Sequence, residues 1–247
     1  MKRLLVAIFR LFRTGADFIR YEHQYRTLSK LKDSRFLFSY KDKWRCLGDQ
    51  HTSTSFDKHY TYHTAWAARK LAKIGPKSHV DISSLTYFST LVSAFIPVDF
   101  YDYRPAKISL DNFSGNHCDI FSLPFEQDSL ESLSCMHVVE HIGLGRYGDP
   151  LDSLGDLKAI AELSRVVKVG GHLLFVVPVG GVAKIQFNAH RIYTYAQVIS
   201  YFRSFELVEF TLIPDQSDEG LILNASESQS DRQVYGCGCF LLKKVEH

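Results

Sequence analysis

The sequence predicts an α/β domain built on a doubly wound, mostly parallel sheet, with a helical extension at its amino end. Two observations carry this expectation. From His79 onward, short apolar runs alternate with helical stretches, the pattern of strand–helix–strand units joined by right-handed crossovers. The run His172–Val177 is almost continuously hydrophobic, as a parallel strand buried on both faces requires. A chain of 247 residues, 45% hydrophobic and 23% charged, suits one such domain plus an appendage.

Residues 1–28 read as one helix, or two separated near Gly15. Leu4, Ile8, Leu11, Phe12 and Ile19 recur at helical spacing, and Arg3, Arg10, Arg13, Asp17 and Arg20 gather on another face. Residues 1–45 carry twelve Lys/Arg against four Asp/Glu, a net +8, whereas the remainder is net −6. A basic head on an acidic body predicts an anionic partner, and an amphipathic basic helix fits a membrane surface. Packing on its own domain or on another subunit is the plainer account of the pattern. No recognisable nucleic-acid motif accompanies the charge, so nucleic acid is not expected. The apolar run Leu4 to Phe9 stops at Arg10, too short for a secretory core. Five cysteines in no framework spacing suit a reducing compartment, so the expected location is cytoplasmic, with the head peripheral to a membrane.

Residues 29–56 are mixed and polar and predict no element. The extension is therefore expected to span 1–56 and the α/β domain 57–247. Asp57 to Ile74 has helical character and stops at Gly75-Pro76. Its Tyr60, Tyr62 and Trp66 are expected to cover the neighbouring domain. Strands follow near 79–82 and 96–101, with a helix near 87–94 between them. A strand near 132–137 precedes a helix near 152–167 that closes at Gly170-Gly171. Beyond 172–177 come a helix near 195–202, a strand near 206–213, a polar loop over 214–233, and a strand near 234–243. No convincing helix joins the last two strands, which predicts an antiparallel pair.

In such sheets ligands lie beyond the carboxyl ends of the parallel strands. Acids gather there: Asp81 ends the first strand, Asp102 follows the second, and Asp119 precedes Ser-Leu-Pro-Phe. Each offers the acceptor a nucleoside needs for ribose hydroxyls or an exocyclic amine. Glu140 and His141 follow the strand near 132–137, and His141 has the titration range of a general base. His137, within that strand, reads as a satisfied core histidine. Residues 143–150, Gly-Leu-Gly-Arg-Tyr-Gly-Asp-Pro, form a glycine-dense loop that presents Arg146, Tyr147 and Asp149 to a substrate. Asn188, His190 and Arg191 follow another flexible stretch, Gly180-Gly181, on the same side. Cys237-Gly-Cys239 has no second ligand pair at zinc-site spacing, so no metal site is expected. No G-x-G-x-x-G follows the first strand, which excludes a nicotinamide site of the usual kind.

The run Asp119 to Ile142, DIFSLPFEQDSLESLSCMHVVEHI, resembles the segment of class I S-adenosylmethionine-dependent methyltransferases that includes their fourth strand. Gly155 to Pro178 resembles the helix and fifth strand that follow. More narrowly, HVVEHIGLGRYGDP and FNAHRIY resemble a methyltransferase-like family of unknown function (DUF268-like), found among other places with bacterial surface-glycan genes. The resemblance implies a Rossmann-like, seven-stranded, mostly parallel sheet with helices on both faces, and S-adenosylmethionine as cofactor. It places Asp81 and Ser83 at the methionine end, Asp102 at the ribose, Asp119 at the adenine amine and Leu123 against the ring. Asp99 is a rival to Asp102. It implies methyl transfer, with O-methylation of a sugar or glycan-linked acceptor as the expected reaction and Glu140 and His141 as its catalytic pair. The first loop, Asp81-Ile82-Ser83-Ser84-Leu85, departs from the family by lacking glycine. That departure keeps open a second reading, a catalytically silent module that binds a partner or a membrane-bound assembly.

Overall fold

The computed structural model describes residues 2–31, 35–47, 49, 52–83, 85–216 and 218–246, with the first helix's side chains described from residue 15. It divides into two compact units, Met1–Phe56 and Asp57–His247. In the first, α1 (Lys2–Ser29) is one helix that runs through Gly15 without a break. The apolar and basic faces expected over residues 1–14 lie outside the described side chains. A single 3-10 turn, Tyr40–Asp42, follows. Lys43 Nζ reaches both Glu22 oxygens at 2.7 Å and sits over the Tyr25 and Tyr40 rings, so charge and ring faces hold this segment against the helix.

The second unit opens with α2 (Lys58–Ile74). Asp57 caps it through the Tyr60 amide, and Gly75 ends it at φ +62°, where a side chain would be strained. Then come β1 (His79–Ile82), α3 (Thr86–Val92), β2 (Val98–Asp102), β3 (Phe113–His117) and β4 (Leu130–Met136). They are followed by α4 (Gly155–Val166), β5 (Val167–Val179), β6 (Lys184–Gln186), β7 (His190–Ile192), α5 (Tyr195–Tyr201), β8 (Phe205–Ile213), α6 (Glu227–Asp231) and β9 (Gly236–Lys244). The main sheet has seven strands in the order β3-β2-β1-β4-β5-β9-β8, parallel except that β9 runs against both neighbours. The expected α/β class and the antiparallel closing pair are both present.

Four elements differ from expectation, one of them the short helix α6 inside the stretch expected as a loop. The strand β3 is a partly exposed edge with sequence Phe-Ser-Gly-Asn-His, too polar and short to stand out by pattern. β5 does not begin after Gly170-Gly171 but at Val167, directly where α4 ends, with a register shift opposite Leu130 and Ser132. A separate two-stranded hairpin, β6 with β7, rises between β5 and α5.

Two apolar clusters sandwich the sheet. On one face α2 and α3 press Trp66, Leu71, Phe88 and Val92 against Val176, Ile213 and Leu241. On the other, Ala159 and Leu163 of α4 and Val198 of α5 meet Leu133, Phe175 and Phe240. Each large side chain buried this way contributes about 1.5–3 kcal/mol. Trp66, expected to cover the neighbouring domain, packs into its core, and its indole N–H donates to Glu209 Oε1 at 3.1 Å. Lys70 pairs with the other Glu209 oxygen at 2.5 Å, which pins α2 across β8. The start of α2 is thereby held near the carboxyl edge of the sheet, where the site forms.

Candidate active site

Beyond β4 the chain must turn sharply, and His137 adopts φ +56° to do so. A 3-10 turn, Val139–His141, follows and aims Glu140 inward. Because β9 is antiparallel to β5, its first residues lie at this same edge, with Cys237 opposite Pro178. The first turn of α2, the hairpin β6–β7 and the glycine loop complete a cavity of about 480 Å³. Its polar walls are His59, Tyr60, Glu140, His141, Arg146 and His190.

Glu140 is almost wholly enclosed. Its Oε1 lies 2.7 Å from His137 Nδ1 and 3.9 Å from His141 Nε2, and its Oε2 has no hydrogen-bond partner. Burial lowers the basicity of His137, but the Cys237 sulfur, 3.5 Å from Nε2, and the Glu140 carboxylate outweigh it and raise it. Cys237 itself is raised well above the ordinary range by burial and stays a thiol, so Glu140 is the charge that holds the His137 proton. His141 Nδ1 donates to the Ala189 carbonyl at 2.6 Å. In the neutral ring that bond fixes the tautomer and leaves Nε2 as an acceptor. Burial, assisted by the facing His137, depresses His59 to about 4, and burial followed by Glu140 pushes Tyr60 up to about 12. His190 stacks on Tyr235 with ring centres 4.9 Å apart, and its Nε2 is buried without a partner.

The cavity thus gathers Glu140, His141, Arg146, Tyr147 and His190 from the sequence expectation. Glu140 makes its hydrogen bond with His137, and His141 Nε2 stands farther off at 3.9 Å. His137 is satisfied as expected, yet it lines the cavity. Three expectations are corrected. The Asp149 carboxylate accepts from the amides of Gly143, Gly145 and Tyr147, so it shapes the glycine loop from within and does not face a substrate. Gly143 (φ +79°) has no room for a side chain, since a Cβ would meet the Asp152 carbonyl at 2.1 Å. Arg191 is buried, with Nη1 donating to the Ile142 carbonyl at 2.6 Å, Nη2 to Asp152 and Ser153, and Nε 3.6 Å from Asp156. It clamps the hairpin to the loop instead of reaching a ligand. Asp81 is fully enclosed, its oxygens taken by the Ser134 hydroxyl at 2.5 Å and by that of Ser89, so it presents no carboxylate to a methionine end.

The other residues assigned to a cofactor lie toward β1 and β2. Ser83 is buried and its hydroxyl accepts from the Leu85 amide at 3.1 Å, while Ser84 lies outside the described residues. Asp102 Oδ1 accepts from the Arg104 amide at 2.9 Å, and Asp119 Oδ1 from the Phe121 amide at 2.9 Å. Each caps its own turn with one oxygen, and the second has no hydrogen-bond partner among the described residues. Asp99, the rival, likewise uses one oxygen, which accepts from the Ser114 hydroxyl at 2.5 Å. Leu123 is core, its backbone bound to Glu162 and Arg165. Asn188 is exposed at the hairpin tip and is not part of the cavity wall.

The sheet order, with one antiparallel strand next to the last edge, is the decisive topological feature. A family model described as "Caenorhabditis protein of unknown function, DUF268" matches residues 99–245. The chain belongs to the DUF268 family. No curated protein matches it. Among solved structures, this DUF268 member is similar to a chain of the complex between the Haloferax volcanii Trm112 methyltransferase activator and a methyltransferase. Identity is 17%, TM-score 0.53, over 77% of this chain and 91% of that one. It is also similar to the Burkholderia thailandensis 1,6-didemethyltoxoflavin-N1-methyltransferase, solved with its substrate and S-adenosylhomocysteine. There identity is 10% and TM-score 0.50, over 74% of this chain and 79% of that one. The fold is the Rossmann-like fold of class I methyltransferases.

Sequence reasoning missed His59, Tyr235 and Cys237 as neighbours of the site. His59 and Cys237 are 178 positions apart and meet only because α2 and β9 share the sheet's carboxyl edge. The alternation His-Tyr-Thr-Tyr-His at 59–63, polar rings on a helix start, was the one signal available.

Proposed function

We propose that this DUF268 member is an S-adenosylmethionine-dependent methyltransferase that acts on a hydroxyl of a sugar or glycan-linked acceptor held in the cavity. The observation that carries the reading is His141. Its Nδ1–H is committed to the Ala189 carbonyl, so in the neutral ring its Nε2 is an acceptor at a cavity wall that also carries His59, Tyr60, Arg146 and His190. A hydroxyl that attacks a methyl group must shed its proton, and a base fixed in one tautomer serves that step. Arg146, which donates to the same carbonyl at 3.2 Å, and Tyr147 beside it are placed to orient a polar acceptor. The chain's fit to the cofactor lies in its nucleoside half, where Asp102 and Asp119 each retain an acceptor for a ribose or an amine. The cofactor, when bound, supplies an electrophilic methyl group; alignment and exclusion of water by the chain supply much of the rate.

A second reading, a silent methyltransferase-like module, is favoured by the glycine-free first loop and by the enclosure of Asp81. Calorimetric titration with S-adenosylmethionine and S-adenosylhomocysteine separates the two. Saturable one-site binding that weakens roughly ten- to hundredfold in Asp102→Ala and in Asp119→Ala supports the enzyme, in line with the loss of a charged hydrogen bond. No binding by the parent protein would leave the silent module.

A further inference from the structure

We propose that His59, His137 and Cys237 hold a divalent transition-metal ion of the zinc class at the wall of the cavity. One donor atom from each lies within 4.8 Å of the other two. They come from three separate elements: the first turn of α2, the residue after β4, and the second residue of β9. Imidazole nitrogen and thiolate sulfur are the donor set that zinc selects.

Three features argue for a built site over a chance cluster. First, His137 Nε2 and Cys237 Sγ are 3.5 Å apart. Two zinc ligands at about 2.05 Å and 2.3 Å, subtending a tetrahedral angle, stand about 3.6 Å apart. Second, the other nitrogen of His137 is bonded to Glu140 at 2.7 Å. A carboxylate behind a histidine ligand fixes the ring and raises its donor strength, and metal-bound histidines almost always donate their other nitrogen to a carboxylate, a backbone carbonyl or water. Third, the left-handed backbone of His137 aims that ring, and Glu140 keeps an oxygen buried with no partner. Two imidazoles, a thiol and an underused carboxylate together in a half-closed pocket are costly to bury unless something draws on them.

His59 and His137 line the cavity, so an ion there would face it. Three protein ligands leave a fourth position open, the arrangement of reactive zinc sites and not of structural ones. Such an ion would present a Lewis acid to an oxygen that enters the cavity. On binding it takes the place of the proton on His137 Nε2 and of the thiol hydrogen, both of which pass to solvent. The site does not depend on whether the chain binds S-adenosylmethionine.

The test uses the full chain, stripped of metal and titrated first with cobalt(II) and then with zinc(II) against a chromophoric chelator. The expected result is one equivalent bound, with a thiolate-to-cobalt charge-transfer band that zinc abolishes. Cys237→Ser should lose that band. Glu140→Gln should weaken zinc binding about 10- to 100-fold, as loss of a ligand's supporting partner does. His59→Ala should weaken it at least as much. His59 is partly exposed at the start of a capped helix, so this variant keeps the fold, which circular dichroism checks, and it decides the matter if Cys237→Ser does not fold. Absence of the band at one equivalent of cobalt, or parental zinc affinity in folded His59→Ala, would overturn the proposal.

Discussion

Asp81 offers a measurable link between a buried acid and the pH dependence of folding. Its carboxylate is fully enclosed beside the Ser89 and Ser134 hydroxyls, and Ser134 in turn bonds His79 at 2.8 Å. Burial raises its pKa from 3.8 to about 6, with the two hydroxyls pulling in the opposite direction. The folded state therefore holds this proton more tightly than the unfolded chain. That contribution to stability is fully present below about pH 4 and is lost as the pH rises through about 6. A displacement of about two units is worth roughly 3 kcal/mol, and no solvent screening discounts a group this deeply enclosed. Asp81→Asn removes the titration while keeping the shape and a hydrogen-bonding amide. Urea unfolding of both proteins at pH 4, 5, 6 and 7 isolates the contribution of Asp81, because every other titrating group is common to the pair. The variant should gain on the parent by about 3 kcal/mol across that range and then level off. Against a total stability of the usual 5–15 kcal/mol this is a large change. A difference that stays flat with pH, or that moves in the parent's favour, would refute the reasoning.

Other expectations follow from the same geometry. Arg191→Met should lower stability by about 3 kcal/mol or more, because three carbonyls and Asp156 lose a buried donor; thermal denaturation at pH 7 reads it. His141→Gln should cut methyl transfer about 10²–10⁴-fold once an acceptor is in hand, with S-adenosylmethionine binding unchanged, whereas parental turnover would remove His141 from the role. If residues 1–28 meet anionic membrane, deleting them should abolish co-sedimentation with acidic liposomes, and raising salt should weaken it in the parent protein. Equal sedimentation of both would dismiss that partner. No helix among the described residues is long and apolar enough to cross a membrane.

What the sequence made legible follows from how local each signal is. β1 was readable residue for residue, since four consecutive buried positions are bounded by Pro76 and a polar loop. α2 was readable because both its ends are marked, by Asp57 and by Gly75-Pro76. β3 was not, since an edge strand needs little hydrophobicity. Glu140 and His141 stood out by following a buried strand, and Arg146 by its glycine neighbours. Asp149 and Arg191 misled for one reason: a charged residue beside a site looks the same in sequence whether it serves a ligand or the backbone. Only the direction of its hydrogen bonds separates the two. The His59, His137 and Cys237 group was invisible, because its members share no spacing, only a location.

The Ala189 carbonyl has a consequence for how this site tolerates change. It accepts from His141 and from Arg146 at once, and it belongs to the main chain of a hairpin tip. Substituting residue 189 leaves that oxygen where it is, so the atom that orients the ring is insulated from point mutation, and an alanine scan passes over it in silence. Variation reaches it only by displacing the hairpin as a whole. Lengthening or shortening the turn between Gln186 and His190 by one residue should therefore disturb His141 more than any exchange of side chains there.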